Sequence, residues 1–573
     1  MKLIIRDFVA SLKERGELDA ILPDLLSEVG FTVFSRPGIG TVQHGVDIAA
    51  VGTDQDGERK VFLLSVKQGD LTRQDWDGNP QALRPSLNEI QDAYIPNRIP
   101  PRYRDLKVVI CICIGGSVQE QVRDVLTGHI MKNQTSRIAF DEWNGDHIAE
   151  MLMTGLLREQ VLPKPLRRSF QKSIAMVDEP DVSFKHFRHL ALALKREAGD
   201  SQTKRVRAAR QINFALWVLY VWARDADNLD ASYRASELST LLVWDMLRPF
   251  IGKRTKNSRA IVQAQNQIIQ LHIRISFEFL EAKVLPHAEA DFALSAAVRS
   301  RYYADVNLRL FDVLGRLALA GLWLAWSLSR DNSIPSNAQA EALRSLANKT
   351  LSLINANPAL LTPLKDDHAI EVALCVLFFA HARADFNAIR GWLADSSAAI
   401  DFSIRAHNLY PTINGVYRDL LHHPRERSDE FRKNALPGSV LLPLLGCWLT
   451  ACGCDTEFER LAGVISEELP ECTLQFWFPD SRTEDGLYEG IEQHGSALTD
   501  ISFADGGDAL LDTVWECCEE FASFDTISCV ETGYWPIFLL ACRHHRLPVP
   551  PQFWIEIVRG ARQQRAMPTG NSV

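Results

Sequence analysis

Asp47, Ser65 and Lys67 have the types and spacing of residues that could do chemistry together. Asp47 sits in HGVDIAA, and Ser65-Val66-Lys67 closes the apolar run VFLLSVK. Residues i and i+2 of a strand share a face, so Ser65 and Lys67 should point the same way. A tight turn near residues 55–57 would fold the second strand back on the first and bring Asp47 within about a residue of opposite Ser65. Two more acids, Glu17 and Asp19, precede this pair on a helical segment and could reach the same sheet edge. A carboxylate, a hydroxyl and an ammonium side by side suit phosphodiester hydrolysis with a hard cation. Mg²⁺ (with Mn²⁺ as a substitute) needs one or two carboxylates, while waters and substrate phosphate complete its octahedron. The cation acidifies a bound water. A neighbouring lysine can orient that water, help deprotonate it or stabilise developing negative charge.

The elements that must position these residues are legible from periodicity. ELDAILPDLLSEVG (17–30) carries apolar residues at helical spacing and ends at Gly30. FTVFSR (31–36), GVDIAAVG (45–52) and ERKVFLLSVKQG (58–69) read as strands, the last two joined through Asp56-Gly57, a hairpin signal. A polar, Pro-rich loop is expected next. LKVVICICIGG (106–116) reads as a fully buried strand, SVQEQVRDVLTGHI as a helix, SRIAF (136–140) as a strand and GDHIAEMLMTGLLRE (145–159) as a helix. Such alternation predicts a mixed central sheet flanked by helices. From about residue 180 to 560 the chain is rich in Ala, Leu and Trp at helical spacing, so a large all-α region should follow.

The order of these elements resembles the PD-(D/E)xK superfamily of restriction-endonuclease-like domains, and within it the Mrr-like branch. Asp19 lies eleven positions before Gly30-Phe31, Gly45-Val46-Asp47 matches the metal-binding turn, and Ser65-Val66-Lys67 stands where Q-x-K or E-x-K is expected. ICICIGGSVQEQV and IAFDEWNGDHIAEML fit the later strand, helix, strand and last helix. The resemblance covers about 160 of 573 residues. It implies a Mg²⁺-dependent endonuclease acting on DNA, with Asp47, Lys67 and Ser65 catalytic. Because Ser65 replaces the usual acid or glutamine, the metal would rest on Asp47, on Asp19 or Glu17, and on the Val66 carbonyl. The same replacement fits a degenerate nuclease fold that binds DNA or a protein without cutting. Proteins built this way resemble bacterial restriction or anti-phage effectors, often dimeric, with the helical region recruiting a partner defence protein or a second copy.

Residues 1–160 should thus be the endonuclease-like domain, 161–178 a basic linker, and 179–355 and 356–573 helical domains, either divided at NANPALLTP or continuous with one another. Gln68, Arg73 and Trp76, just past the site, could meet nucleic acid, as could Lys164, Arg167 and Arg168 in the linker. Net charge is −10, so nucleic-acid binding must be local; residues 1–175 carry 22 Lys/Arg against 23 Asp/Glu, and most of the acidic excess lies beyond them. GKRT (252–255) has Leu247 where a phosphate-binding loop needs glycine, which excludes a nucleotide cofactor there. The 11 scattered cysteines show no zinc-finger spacing and read as reduced thiols. No apolar run reaches the roughly 18–20 residues that cross a bilayer, and no signal segment opens the chain, so a cytoplasmic protein without membrane contact is expected.

Overall fold

The hairpin between residues 48 and 67 organises the N-terminal half. In a computed structural model, which describes residues 2–36, 43–54, 56–155, 164–253, 258–330, 337–409, 411–423, 428–491 and 494–566, strand β2 (Ile48–Thr53) pairs antiparallel with β3 (Arg59–Lys67), from Ile48 opposite Leu64 to Thr53 opposite Arg59. The turn closes as the sequence predicts. Asp54 accepts from the amides of Asp56 and Glu58, and Gly57 takes φ +80°, where a side chain would be strained. β1 (Thr32–Ser35) adds antiparallel to β2, while β4 (Val108–Ile114) and β5 (Ile138–Trp143) add parallel beyond β3. The result is a five-stranded mixed sheet in the order β1-β2-β3-β4-β5.

Helices cover both faces. Before the sheet come α1 (Lys2–Ser11) and α2 (Asp19–Glu28), the latter ending at Gly30 with φ +96°. Residues 70–105, expected as a loop, instead fold into α3 (Arg73–Asp77), α4 (Leu83–Glu89), a π turn over Ile90–Tyr94 and α5 (Ile95–Arg98). The reason is burial: Trp76, Leu83, Leu87, Ile90 and Tyr94 join Ala49, Val51, Val61, Leu63, Ile110 and Ile112 in one apolar cluster. Prolines and charges interleaved with these residues mask the helical period. Helices α6 (Glu120–Asn133) and α7 (Gly145–Gly155) follow β4 and β5, and α1 packs on α7.

The expected linker is a helix over most of its length. α8 (Lys164–Ala175) buries Leu166, Phe170 and Ile174 and packs on α9 (Pro180–Ala198). Arg168 and Lys172 lie on the outer side of this amphipathic helix, which composition alone reads as a solvated tether. Residues 161–163 and the end of GKRT (254–255) lie outside the described residues. α10 (Gln202–Asp225) then lies on α1, α2, α8 and α9. Two compact units emerge: 1–239 with 259–268, and 240–258 with 269–573. These limits differ from the expected 160, 178 and 355, because α10 packs on α1 and α2 of the sheet domain and carries α8 and α9 with it. Across NANPALLTP the helical region runs on within one unit, the continuous alternative. Asn357 is fully buried, accepting from Ser295 and donating to the Leu353 carbonyl.

The second unit is predominantly helical, with two small two-stranded sheets. The helix Tyr303–Arg330 packs on Ala369–Ala382, and charges pair beside them: Asp312 with Arg316 and Arg543, and the buried Glu371 with Arg546. Among the described residues no two cysteines form a disulfide. Among the described residues no helix is long and apolar enough to cross a membrane.

Candidate active site

Gly45 sets the entry into β2. Its φ is +75°, and a Cβ there would lie 2.2 Å from the Ser86 carbonyl oxygen, so glycine is required both for the turn and for the close approach of α4. Val46 and Ala49 then join the same apolar cluster although they are three residues apart. Strict strand alternation would place them on opposite faces, but Val46 precedes β2 and the chain bends at Asp47 before the strand begins. The Asp47 amide donates to the Leu64 carbonyl at 2.9 Å, the residue that also faces Ile48. Asp47 therefore stands within a residue of opposite Ser65, as the spacing predicts. Its side chain meets the next residue along: Oδ2 accepts from the Val66 N–H at 2.7 Å.

Lys67, at the end of β3, forms an ion pair with Glu14, Nζ to Oε1 3.1 Å, with both side chains largely shielded. Glu14 is a residue that sequence reasoning does not single out. It lies in the segment Glu14–Leu18 between α1 and α2, where Arg15 (φ −93°, ψ 129°) and Gly16 (φ +76°) leave the helical region. That kink points Glu14 at the sheet edge. The signal that could have found it is Gly16, a helix breaker lying between two glutamates. The Gln68 side-chain oxygen accepts from the Glu14 amide at 3.5 Å, and Arg15 donates to Gln81 at 3.4 Å.

The charges of this group act on one another. Burial pushes the Asp47 carboxyl up to about 6; the Val66 N–H and Lys67 oppose that rise, and Glu14 and Asp19 add to it. Burial and the neighbouring Asp47 likewise raise the Cys113 thiol well above its ordinary range. A half-buried carboxyl crowded by two other acids, with a lysine at hand, is a place where added positive charge would be favourable.

The remaining expectations divide. Ser65 is 1% exposed, aligned with Ile112 of β4, and forms no hydrogen bond to Asp47 or Lys67, so the three do not make one bonded set. It alternates with Leu63 toward the apolar cluster, while the Asp47 bend takes the carboxylate out of that alternation. Val66 meets Asp47 through its N–H rather than its carbonyl. Glu17 is 1% exposed and its carboxylate is engaged on both oxygens: Oε1 accepts from Arg224 of α10 at 3.1 Å and Oε2 from the Lys13 amide at 3.0 Å. It serves the turn, and the carboxylate of this segment that reaches the sheet edge at Lys67 is that of Glu14. Asp19 is half-buried at the start of α2, within electrostatic reach of Asp47.

Of the residues proposed to meet nucleic acid, Gln68, Arg73 and Arg168 are exposed and Arg167 is half-buried; the side chain of Lys164 is outside those described. Trp76 is core, 2% exposed. Among the described residues no three His, Cys, Asp or Glu side chains form a ready-made metal cluster. No protein-family model, no curated protein and no solved structure matches the chain.

Proposed function

We propose that the N-terminal α/β domain is a metal-dependent endonuclease of the PD-(D/E)xK type that hydrolyses DNA phosphodiester bonds. The observation that carries this reading is the juxtaposition of Asp47, at the bend entering β2, with the Glu14–Lys67 pair at the end of β3. Asp47, Glu14 and Asp19 are oxygen donors of the kind Mg²⁺ takes, and their mutual repulsion at a shielded sheet edge fits a cation. Two carboxylates suffice, because waters and phosphate oxygens complete a Mg²⁺ site, so a closed cluster of three protein ligands is not required. When bound, the cation would supply an acidified water and charge neutralisation at the phosphate. Glu14 would then supply the acid that Ser65 does not. Lys67, held by Glu14, is placed to orient a water or steady the developing phosphate charge. The strand ending in Gly115-Gly116, followed by α6, β5 and α7, agrees with the layout on which the resemblance rests. The helical regions would recruit or sense a partner.

The test is nicking of supercoiled plasmid by the full chain with Mg²⁺ or Mn²⁺. Cleavage should require the cation and be lost in Asp47→Asn, Lys67→Met and Glu14→Gln. Cleavage that survives all three changes, or none at all from wild type, would remove the enzyme reading. Ser65, buried and without an acidic side chain, supports a second reading, a non-cleaving DNA-binding module. It is favoured if wild type binds DNA with a salt-dependent affinity and never nicks it.

A further inference from the structure

Glu14 reaches Lys67 only because the chain between α1 and α2 leaves the helical path at Arg15 and Gly16. What holds that kink is Glu17. One of its carboxylate oxygens accepts from the Lys13 amide, closing the turn from below; the other accepts from Arg224 in the last turn of α10. The Arg224 guanidinium also lies over the Tyr220 ring, 5.4 Å from its centre. Farther along the same helices, Arg210 pairs with Glu28 at 2.9 Å, Arg207 with Glu28 at 3.4 Å, and Phe214 packs edge-on to Phe8 of α1. α10 is thus fastened to α1 and α2 at several points, and Arg224 is the fastening nearest the candidate site. Contacts run without a gap from Arg224 to Glu17, to the Lys13 amide, through the kink to Glu14, and on to Lys67.

We infer that Arg224 is a positioning residue for the Glu14–Lys67–Asp47 group and that through it the last turn of α10 controls the geometry of that group. The inference rests on the reading of the site given above. A carboxylate as buried as that of Glu17 keeps its direction only while its partner stays. Without Arg224 the carboxylate has cause to turn to solvent, and the Lys13 amide loses its fixed acceptor. The kink then relaxes and Glu14 leaves Lys67. A signal that shifts the end of α10 by a fraction of a helical turn would act in the same way, so a helix after the sheet domain can set the state of a site at the sheet edge.

Full-length Arg224→Ala and Arg224→Lys test this with two readouts. The first is independent of catalysis: acetylation of Lys67 by an amine-reactive reagent, followed by mass spectrometry, with hydrogen exchange of the 13–18 amides in parallel. Arg224→Ala should raise Lys67 labelling about tenfold, as Glu14→Gln should, and release the 13–18 amides while the β3 and β4 amides stay protected. Arg224→Lys should restore most of both. The second is the Mg²⁺ concentration for half-maximal nicking, which should rise about 10–100-fold in Arg224→Ala, the usual cost of losing a residue that orients a ligand. Lys67 labelling and 13–18 exchange at wild-type levels in Arg224→Ala would overturn the inference, as would an unchanged Mg²⁺ requirement in a protein that nicks. If wild type never nicks, the endonuclease reading fails, and the labelling and exchange results alone still decide whether Arg224 sets the Glu14–Lys67 geometry. If Arg224→Ala loses protection throughout the sheet, Arg224→Lys decides alone: a protected sheet with the small residual rise in Lys67 labelling and 13–18 exchange that incomplete restoration leaves would support the inference. Uniform loss in both would make Arg224 a stabilising residue only and overturn it.

Discussion

Asp47→Asn should make the metal-free protein more stable, not less, above pH 6. Burial displaces the Asp47 carboxyl from its ordinary 3.8 to about 6. The folded state therefore binds this proton more tightly than the unfolded state does. The contribution favours folding in full below pH 3.8 and is lost as pH rises through 6, where the native carboxylate must be charged in a partly desolvated place. The displacement corresponds to about 3 kcal/mol at neutral pH. Asparagine keeps an oxygen for the Val66 N–H, whose bond to Asp47 is 2.7 Å, and carries no charge. Wild type and variant should therefore be equally stable near pH 4 and diverge above pH 6, with the variant ahead by at most about 3 kcal/mol. Native-state hydrogen exchange of the β2 and β3 amides in EDTA reads this locally, free of the second unit. Adding Mg²⁺ should stabilise wild type alone, by about 2.7 kcal/mol at a hundredfold excess over its dissociation constant, and close the gap. A variant less stable than wild type at pH 8 in EDTA, or a gap that stays constant from pH 4 to 8, would refute the reasoning, because the Asp47 charge would then not be a cost that a cation offsets.

Gly45→Ala should cost at least about 2 kcal/mol, since it combines a positive φ with a backbone clash, and should reduce plasmid nicking by displacing Asp47; urea unfolding and the nicking assay check both. Arg210→Ala leaves Glu28 and Asp24 without their buried cation; Asp24, which burial already raises above its ordinary range, should rise further, and the sheet unit should lose about 3–5 kcal/mol by chemical denaturation. Lys67→Met should abolish nicking while leaving the slope of log K against log salt for DNA binding nearly unchanged, because a lysine engaged with Glu14 contributes little to phosphate neutralisation; a slope reduced by about 1 would make it a phosphate contact instead.

What the sequence made legible was local. The strands at 32–35, 48–53, 59–67, 108–114 and 138–143 follow from period, β-branched residues and turn glycines, and the hairpin signal at Asp56-Gly57 correctly brings Asp47 to within a residue of Ser65. Alternation alone then fails by one residue, since nothing in HGVDIAA distinguishes a straight entry into β2 from a bend at Asp47. The helical cover over residues 70–105 is hidden for a related reason. Trp76, Leu83, Leu87, Ile90 and Tyr94 are spaced as a helix would space them, but the prolines and charges between them have meaning only once the sheet supplies an apolar surface to bury against.

The acids on the first helical segment show where sequence reasoning stops. Glu14, Glu17 and Asp19 lie within six residues and have similar local surroundings, so propensity cannot rank them. Their roles are assigned by partners far away in the chain. Arg224, 207 positions from Glu17, takes that carboxylate, and Lys67, 53 positions from Glu14, takes the other. Composition misses the consequence for domain limits too. The arginines of α10 read as ordinary helix surface, yet three of them, Arg207, Arg210 and Arg224, pair with carboxylates of the segment that leads into the sheet. Buried opposite charges hold elements in one register because any other leaves a charge unpaired. For that reason α10 belongs to the sheet unit physically, and a boundary drawn at residue 160 or 178 would cut through the contacts that set the direction of Glu14.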